Sequence, residues 1–306
     1  MRVGSIIRLA AVQSIAFVLL MLANSSIIFG EDLRLIQEKN FSVKDWQNLY
    51  VKASGADVKV ESWDKPEVNI KVYGNKRAAE KMEFDVYQDG DVVKVIAKRK
   101  GSFLNWSFGS MQVKITATVP KNFNTNLESS GGDISIANLN GGFKLRTSGG
   151  DVSLMNTNGN LFTETSGGDI KIFDHKGTMH LSTSGGDILC KKVEGDLEAS
   201  TSGGEIKLEL ANSKTEAKTS GGDIKIDYTG TNKGIFASTS GGDVHIKLPA
   251  DFKANAQYEC SNEIENNFKN SKPLKVTRGY TSAELNGGGE RLNLKSSGGV
   301  ITIDQK

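Results

Sequence analysis

The sequence predicts an all-β fold, a parallel β-solenoid whose 18-residue rungs consist of two nine-residue halves, with irregular β regions at both ends. Three observations carry that expectation. Gly-Gly pairs recur every 18 residues, a weaker marker sits halfway between them, and apolar residues alternate with polar ones after every marker.

The pairs end at Gly132, Gly150, Gly168, Gly186, Gly204 and Gly222, and then at Gly242 after a spacing of 20. Gly141, Gly159, Gly177 and Gly195 stand midway, and Ser213 fills the next such slot. Two and four residues after each marker the side chains are apolar, as in Ile134/Ile136, Phe143/Leu145, Ile170/Ile172 and Ile188/Cys190, and only Thr163 and Thr215 break the set. The residue between is usually polar, with Phe162 and Leu189 the exceptions. Such alternation places a strand with one buried face after each marker. A five-residue strand cannot bury that face alone, but identical halves stacked rung on rung form two parallel sheets around one apolar column, rising about 4.8 Å per rung. Glycine at the corners implies positive φ or close backbone approach. The Thr-Ser before each pair, as in Thr165-Ser166, places hydroxyls beside turn amides.

Solenoid ends expose strand edges and need caps. Val119-Pro120 and Leu248-Pro249 mark the expected borders, because proline cannot donate to a ladder. The expected organisation is therefore a signal or anchor at 1–30, an N-terminal β region and cap at 31–119, regular repeats at 120–249, and degenerate rungs and a cap at 250–306. Within 31–119 longer strands are expected at 49–60, 68–73, 84–87, 92–97 and 113–119, with a short helix over 76–82 after Asn75. Ser54-Gly55-Ala56-Asp57-Val58 and Ser261-Asn262-Glu263-Ile264 read as degenerate copies of the repeat, and Gly298-Gly299-Val300-Ile301 closes the chain.

Residues 1–30 carry Arg2 and Arg8, an apolar run from Leu9 to Ala23 broken only by Gln13 and Ser14, and then small residues through Gly30. This order is that of a secretory signal, cleaved after Ser25 or Gly30, with an uncleaved membrane anchor as the alternative. The expected location is the periplasm, the outer surface or outside the cell, with membrane contact only through an uncleaved signal. Without this segment the chain has 36 Lys and Arg against 36 Asp and Glu. A neutral chain gives no electrostatic case for nucleic acid.

On three features the chain resembles a bacterial family of unknown function labelled "putative adhesin", or β-strand repeat protein. They are Trp63-Asp64-Lys65-Pro66-Glu67-Val68 after an Ala-Asp-Val-Lys-Val strand, Thr118-Val119-Pro120 before the repeats, and the recurrent Thr-Ser-Gly-Gly-Asp followed by Ile or Val. The resemblance covers nearly the whole chain after residue 30. It implies an exported envelope protein with no established activity and no catalytic residues to carry over.

The aspartates after the glycine pairs, Asp133, Asp151, Asp169, Asp187, Asp223 and Asp243, form a column with Glu205. One reading is a calcium ladder, but a calcium-binding roll needs a third glycine before its aspartate, and here aspartate follows the pair directly. The other reading, which we adopt, is that each carboxylate caps the amides of its own corner and meets a lysine two residues on, such as Lys171, Lys207 or Lys225. An enzyme acting on polysaccharide would need long loops forming a cleft, which 18-residue rungs do not accommodate. His175, His180 and His245 do not cluster, so no metal, cofactor or catalytic residue is expected. Cys190 and Cys260 are expected to be four rungs apart and unbridged.

Phe103, Leu104, Trp106 and Phe108 lie within a connection where polar residues would be expected. They are a candidate partner contact or, alternatively, a cover for the open N-terminal end. The functional expectation is an exported, non-catalytic binding or adhesin-like envelope scaffold whose partner is an envelope protein or surface ligand. A regulatory or structural element responding to envelope stress through a protein partner is the alternative.

Overall fold

The computed structural model describes residues 33–101 and 111–306; the expected signal at 1–30 and the candidate contact residues Phe103, Leu104, Trp106 and Phe108 lie outside the described residues. Arg34–Lys306 is a single unit of two long sheets, with thirteen and fourteen strands among the described residues. In the regular region every rung places one strand in each sheet. Phe143–Thr147, for example, runs through the 14-stranded sheet, turns at Gly149-Gly150, and continues as Val152–Asn158 in the 13-stranded sheet. Neighbouring rungs pair in parallel with an 18-residue offset, so that Val152 stands opposite Ile134 and Ile170. The side chains expected to face inward do so: Ile134, Leu145, Leu154, Ile170, Ile172, Ile188, Cys190 and Ile224 are all fully buried.

The thirteen-stranded sheet departs from simple five-residue strands. Its regular members are up to seven residues long, as in Ile134–Asn140 and Ile170–Lys176. Asn138, Asn156, Asp174 and Lys192 adopt positive φ between 51° and 58°. The left-handed residue bends the strand and turns the next side chain inward, which buries Leu139, Thr157, His175 and Val193. Asn156 also donates from its Nδ2 to Asn138 Oδ1 at 2.8 Å.

The ends differ from the expected simple continuation. Residues 49–60 form two strands, Asn48–Ala53 and Asp57–Trp63, around a corner at Ser54–Ala56. Although first in sequence, this rung stacks second, between the regular rungs and an outer rung made by Val92–Arg99 and Val113–Pro120. The C-terminal end repeats the device in reverse. Arg291–Ser296 and Ile301–Gln305 come last in sequence but insert between the regular rungs and the outer rung of Ala254–Cys260 and Ile264–Asn266. Cys260 is consequently five rungs from Cys190, one more than expected, and both thiols are buried and free.

Antiparallel strands close three of the four sheet ends beyond these outer rungs, and at the fourth Ile264–Asn266 is itself the edge. Glu67–Gly74 pairs with Val113–Pro120 and carries Arg34–Ser42 on its other edge. Met82–Asp89 covers Val92–Arg99, and Tyr280–Leu285 followed by Ser271–Thr277 covers Ala254–Cys260. The only helix among the described residues, Lys76–Lys81, starts where expected, with Asn75 Oδ1 accepting from the Ala78 amide at 2.9 Å.

The two glycines of each pair have different roles. A Cβ on Gly168 would sit 1.9 Å from the carbonyl oxygen of Gly150, whereas one on Gly167 would meet nothing nearer than 3.8 Å. The requirement at the second glycine is close approach of stacked backbones rather than positive φ. At the opposite corner Gly159 combines both, with φ of +135° and a Cβ position 1.9 Å from the Gly141 oxygen. We expect Gly168→Ala to cost roughly 3 kcal/mol or more through overpacking against backbone, and Gly167→Ala to stay within about 0.5 kcal/mol of wild type. Chemical denaturation of the two variants checks this; equal losses would contradict the assigned corner geometry.

Candidate functional site

The residues singled out by the repeat form a ladder along one edge of the solenoid. Thr165 Oγ1 donates to the Gly150 carbonyl of the preceding rung at 3.1 Å and accepts the Gly168 amide of its own rung at 3.3 Å. Thr147, Thr183, Thr201, Thr219 and Thr239 repeat both contacts, and Ser129 and Ser296 stand in for threonine in the end rungs. These hydroxyls are buried, so each satisfies groups that would otherwise be costly to leave unpaired.

The aspartates complete the ladder across corners rather than, as their spacing predicts, within each corner. Their carboxylates accept the amide of the next rung's corner rather than their own. Asp133 Oδ1 takes the Asp151 amide at 2.8 Å, Asp151 that of Asp169 at 2.9 Å, and Asp169 that of Asp187 at 2.9 Å. Asp187, Asp223 and Asp243 do the same toward Glu205, Asp243 and Val300. The Asp187 amide holds the Asp169 carboxyl below the usual carboxylate range, with help from Lys171. Lys171 bridges Asp151 and Asp169 at 3.2 and 3.1 Å, and Lys225 bridges Glu205 and Asp223 at 2.7 and 3.6 Å. Repulsion along the column is thereby offset by one amide per aspartate and, at Asp151, Asp169, Glu205 and Asp223, by a shared lysine ammonium.

His175 is fully buried in the bent part of the thirteen-stranded sheet. Its Nε2 lies 3.1 Å from the Gly159 carbonyl, which can only accept, so Nε2 carries the hydrogen and Nδ1 accepts from the Thr157 hydroxyl at 2.8 Å. The ring packs edge-on against Phe143, with centroids 6.3 Å apart. Burial pushes its pKa down to about 4. His180 and His245 face outward, beside Glu198 at 3.0 Å and Asp304 at 2.8 Å. Among the described residues no group of three or more His, Cys, Asp and Glu is placed to hold a metal ion, and no helix is long and apolar enough to cross a membrane.

The outer face of the fourteen-stranded sheet carries a surface that the repeat does not dictate. One outward column runs rung by rung through Lys94, Tyr50, Asn126, Lys144, Phe162 and His180, then turns acidic at Glu198 and Glu216. The first six line an open groove of about 820 Å3 whose floor includes Asn124, Thr125 and Gly142. In the neighbouring column charges pair across rungs, Lys52 with Glu128 at 4.0 Å and Arg146 with Glu164 at 2.6 Å. Arg146 also lies over the Phe162 ring, 5.1 Å from its centroid. The sequence offered one signal of this groove, the apolar Phe162 at a position otherwise polar; Tyr50 and Lys94 gave none, because the rung order that brings them alongside is not the order of the chain.

The Toastrack DUF4097 family model matches residues 46–304. No curated protein matches the chain. Among solved structures it is similar to a "putative adhesin" from Bacteroides fragilis, at 16% identity over 90% of this chain and 98% of that one, with a TM-score of 0.44. It is also similar to a "putative lipid binding protein" from Parabacteroides distasonis, at 17% identity over 88% and 96% of the two chains, with a TM-score of 0.39. A "putative cell adhesion protein" from Clostridium sporogenes matches at 10% identity over 89% and 100%, with a TM-score of 0.24.

His175 makes a prediction about pH. Its folded-state pKa lies below that of the unfolded chain, so the unfolded state takes up the proton first, and stability present above about pH 6.5 is lost as pH falls toward 4. The loss between pH 7 and pH 5 should be on the order of 2 kcal/mol. Thermal melts across this range should show His175→Leu lacking this part of the slope; an unchanged slope would place the titrating group elsewhere.

Proposed function

Because the chain belongs to the Toastrack DUF4097 family, we propose that it is an exported, non-catalytic scaffold that presents the outer face of its solenoid to a surface ligand or envelope partner. One observation carries this reading. The residues repeated from rung to rung are committed to holding the rungs together, the threonine hydroxyls and aspartate carboxylates by hydrogen bonds and the second glycines by backbone contact. The residues that vary between rungs are those of the outward columns, so the chain's individuality lies on its surface. A rigid stack of short rungs with a varied face is suited to recognition over an extended area.

Export is proposed from the charge, apolar run and small residues of 1–30. The segment 102–110, with Phe103, Leu104, Trp106 and Phe108, belongs to the same reading as a second candidate contact, because in sequence it connects Val92–Arg99 to Val113–Pro120, the two strands of the outermost N-terminal rung. Expression with a C-terminal tag, followed by fractionation and mass spectrometry of the N-terminus, tests export; the tagged protein should be found outside the cytoplasm, beginning near Ser26 or Glu31. The purified protein should also co-sediment with envelope fragments. A cytoplasmic protein with an intact N-terminus and no retention on envelope would contradict the proposal.

A further inference from the structure

Building on the reading of the chain as a binding scaffold, we propose that the groove between Tyr50 and Phe162 binds an acidic polysaccharide laid along the solenoid axis, with sugar rings against the two aromatic side chains and carboxylates beside Lys144. The lining gives the sign of the ligand's charge. Lys94 and Lys144 are its cations, His180 also lines it, and no Asp or Glu does, although the same column becomes acidic one rung beyond His180. Lys94 is engaged by Asp89 at 2.6 Å and His180 by Glu198 at 3.0 Å. Lys144, at the centre of the groove and exposed, is the lining cation that no carboxylate engages among the described residues.

The shape and remaining chemistry give the ligand's class. Tyr50 and Phe162 are half-buried and three rungs apart, roughly 14 Å along the axis. Each rung advances by about the length of one sugar ring, so the column offers successive rings equivalent positions. Between the aromatic walls stand Asn126 and Lys144, a polar pair suited to ring hydroxyls and carboxylates. Asn126 lines the groove between them, and its side-chain amide can both donate to and accept from ring hydroxyls. The groove is long and open rather than enclosed, as a polymer requires and a small metabolite does not.

Titration calorimetry of the full exported chain tests this with three probes, polygalacturonate oligosaccharides, neutral cello-oligosaccharides and inorganic polyphosphate. Polygalacturonate should bind more tightly than either of the others, and Lys144→Glu or Phe162→Ser should weaken it by roughly tenfold or more without changing the melting temperature. Phe236→Ser, in the same outward column but outside the groove, should bind as wild type. Equal binding of polyphosphate would reduce the site to charge alone, and equal binding of the neutral oligosaccharide would remove the role of Lys144; either overturns the proposal. Absence of binding by all three probes, or binding that ignores the groove variants, overturns it as well. Retention of both groove variants on envelope fragments would then leave the scaffold reading standing, whereas failure of the wild-type chain to be retained removes that reading independently.

Discussion

Stacked backbones approach each other so closely at the corners that a single methyl group does not fit. At Gly168 a Cβ would lie 1.9 Å from the carbonyl oxygen below it, and Gly186, Gly204 and Gly222 repeat that contact at 2.0 Å. This contact sets the register of everything else. With the corners fixed, each threonine hydroxyl falls between a carbonyl of one rung and an amide of the next, and each aspartate reaches the amide one rung on. Apolar side chains then stack on their equivalents from neighbouring rungs, and the core forms as a column rather than a globule. Each hydrogen bond contributes only about 1 kcal/mol net, so the ladder acts through repetition and through the register it imposes.

A solenoid built this way has to end somewhere, and both ends use the same device. The chain stacks an outer rung and a penultimate rung in the reverse of their sequence order. Antiparallel strands cover the outer rung in both sheets at the N-terminal end and in the fourteen-stranded sheet at the C-terminal end, where Ile264–Asn266 is the edge of the other sheet. Interleaving ties each terminus into the stack, so that unpeeling the outermost rung disturbs chain on both sides of it. Antiparallel strands also reverse the polarity of the edge, which no longer templates another parallel rung.

The regular rungs were legible because every determinant within them is local and periodic. Glycine spacing gave the corners, alternation gave the inward faces, and Asn75 gave the helix start. What escaped was non-local. Nothing in 49–60 says that Val92–Arg99 will stack outside it, since parallel pairing leaves no turn signature between partners. The inward position occupied by Leu139, Thr157, His175 and Val193 was missed because a left-handed residue interrupts the alternation; Asn138, Asn156 and Asp174, one rung apart, were its visible signal. The aspartate contacts were placed within one corner because sequence gives no measure of which of two stacked amides lies nearer. The groove depended on the rung order and was therefore only partly visible, through Phe162.

The functional consequence is a division of labour by position. Inward and corner residues specify the stack and are exchangeable between rungs, while outward columns are free to differ. The most direct test of the corner register is to excise one full period, residues 151–168, which joins Gly150 to Asp169 and preserves every corner. Circular dichroism and thermal melting should show a protein with the same sheet spectrum and cooperative unfolding at a modestly lower temperature. Removal of residues 151–159 alone, half a period, should abolish that transition. Equal behaviour of the two deletions would contradict a stack held in register by its corners.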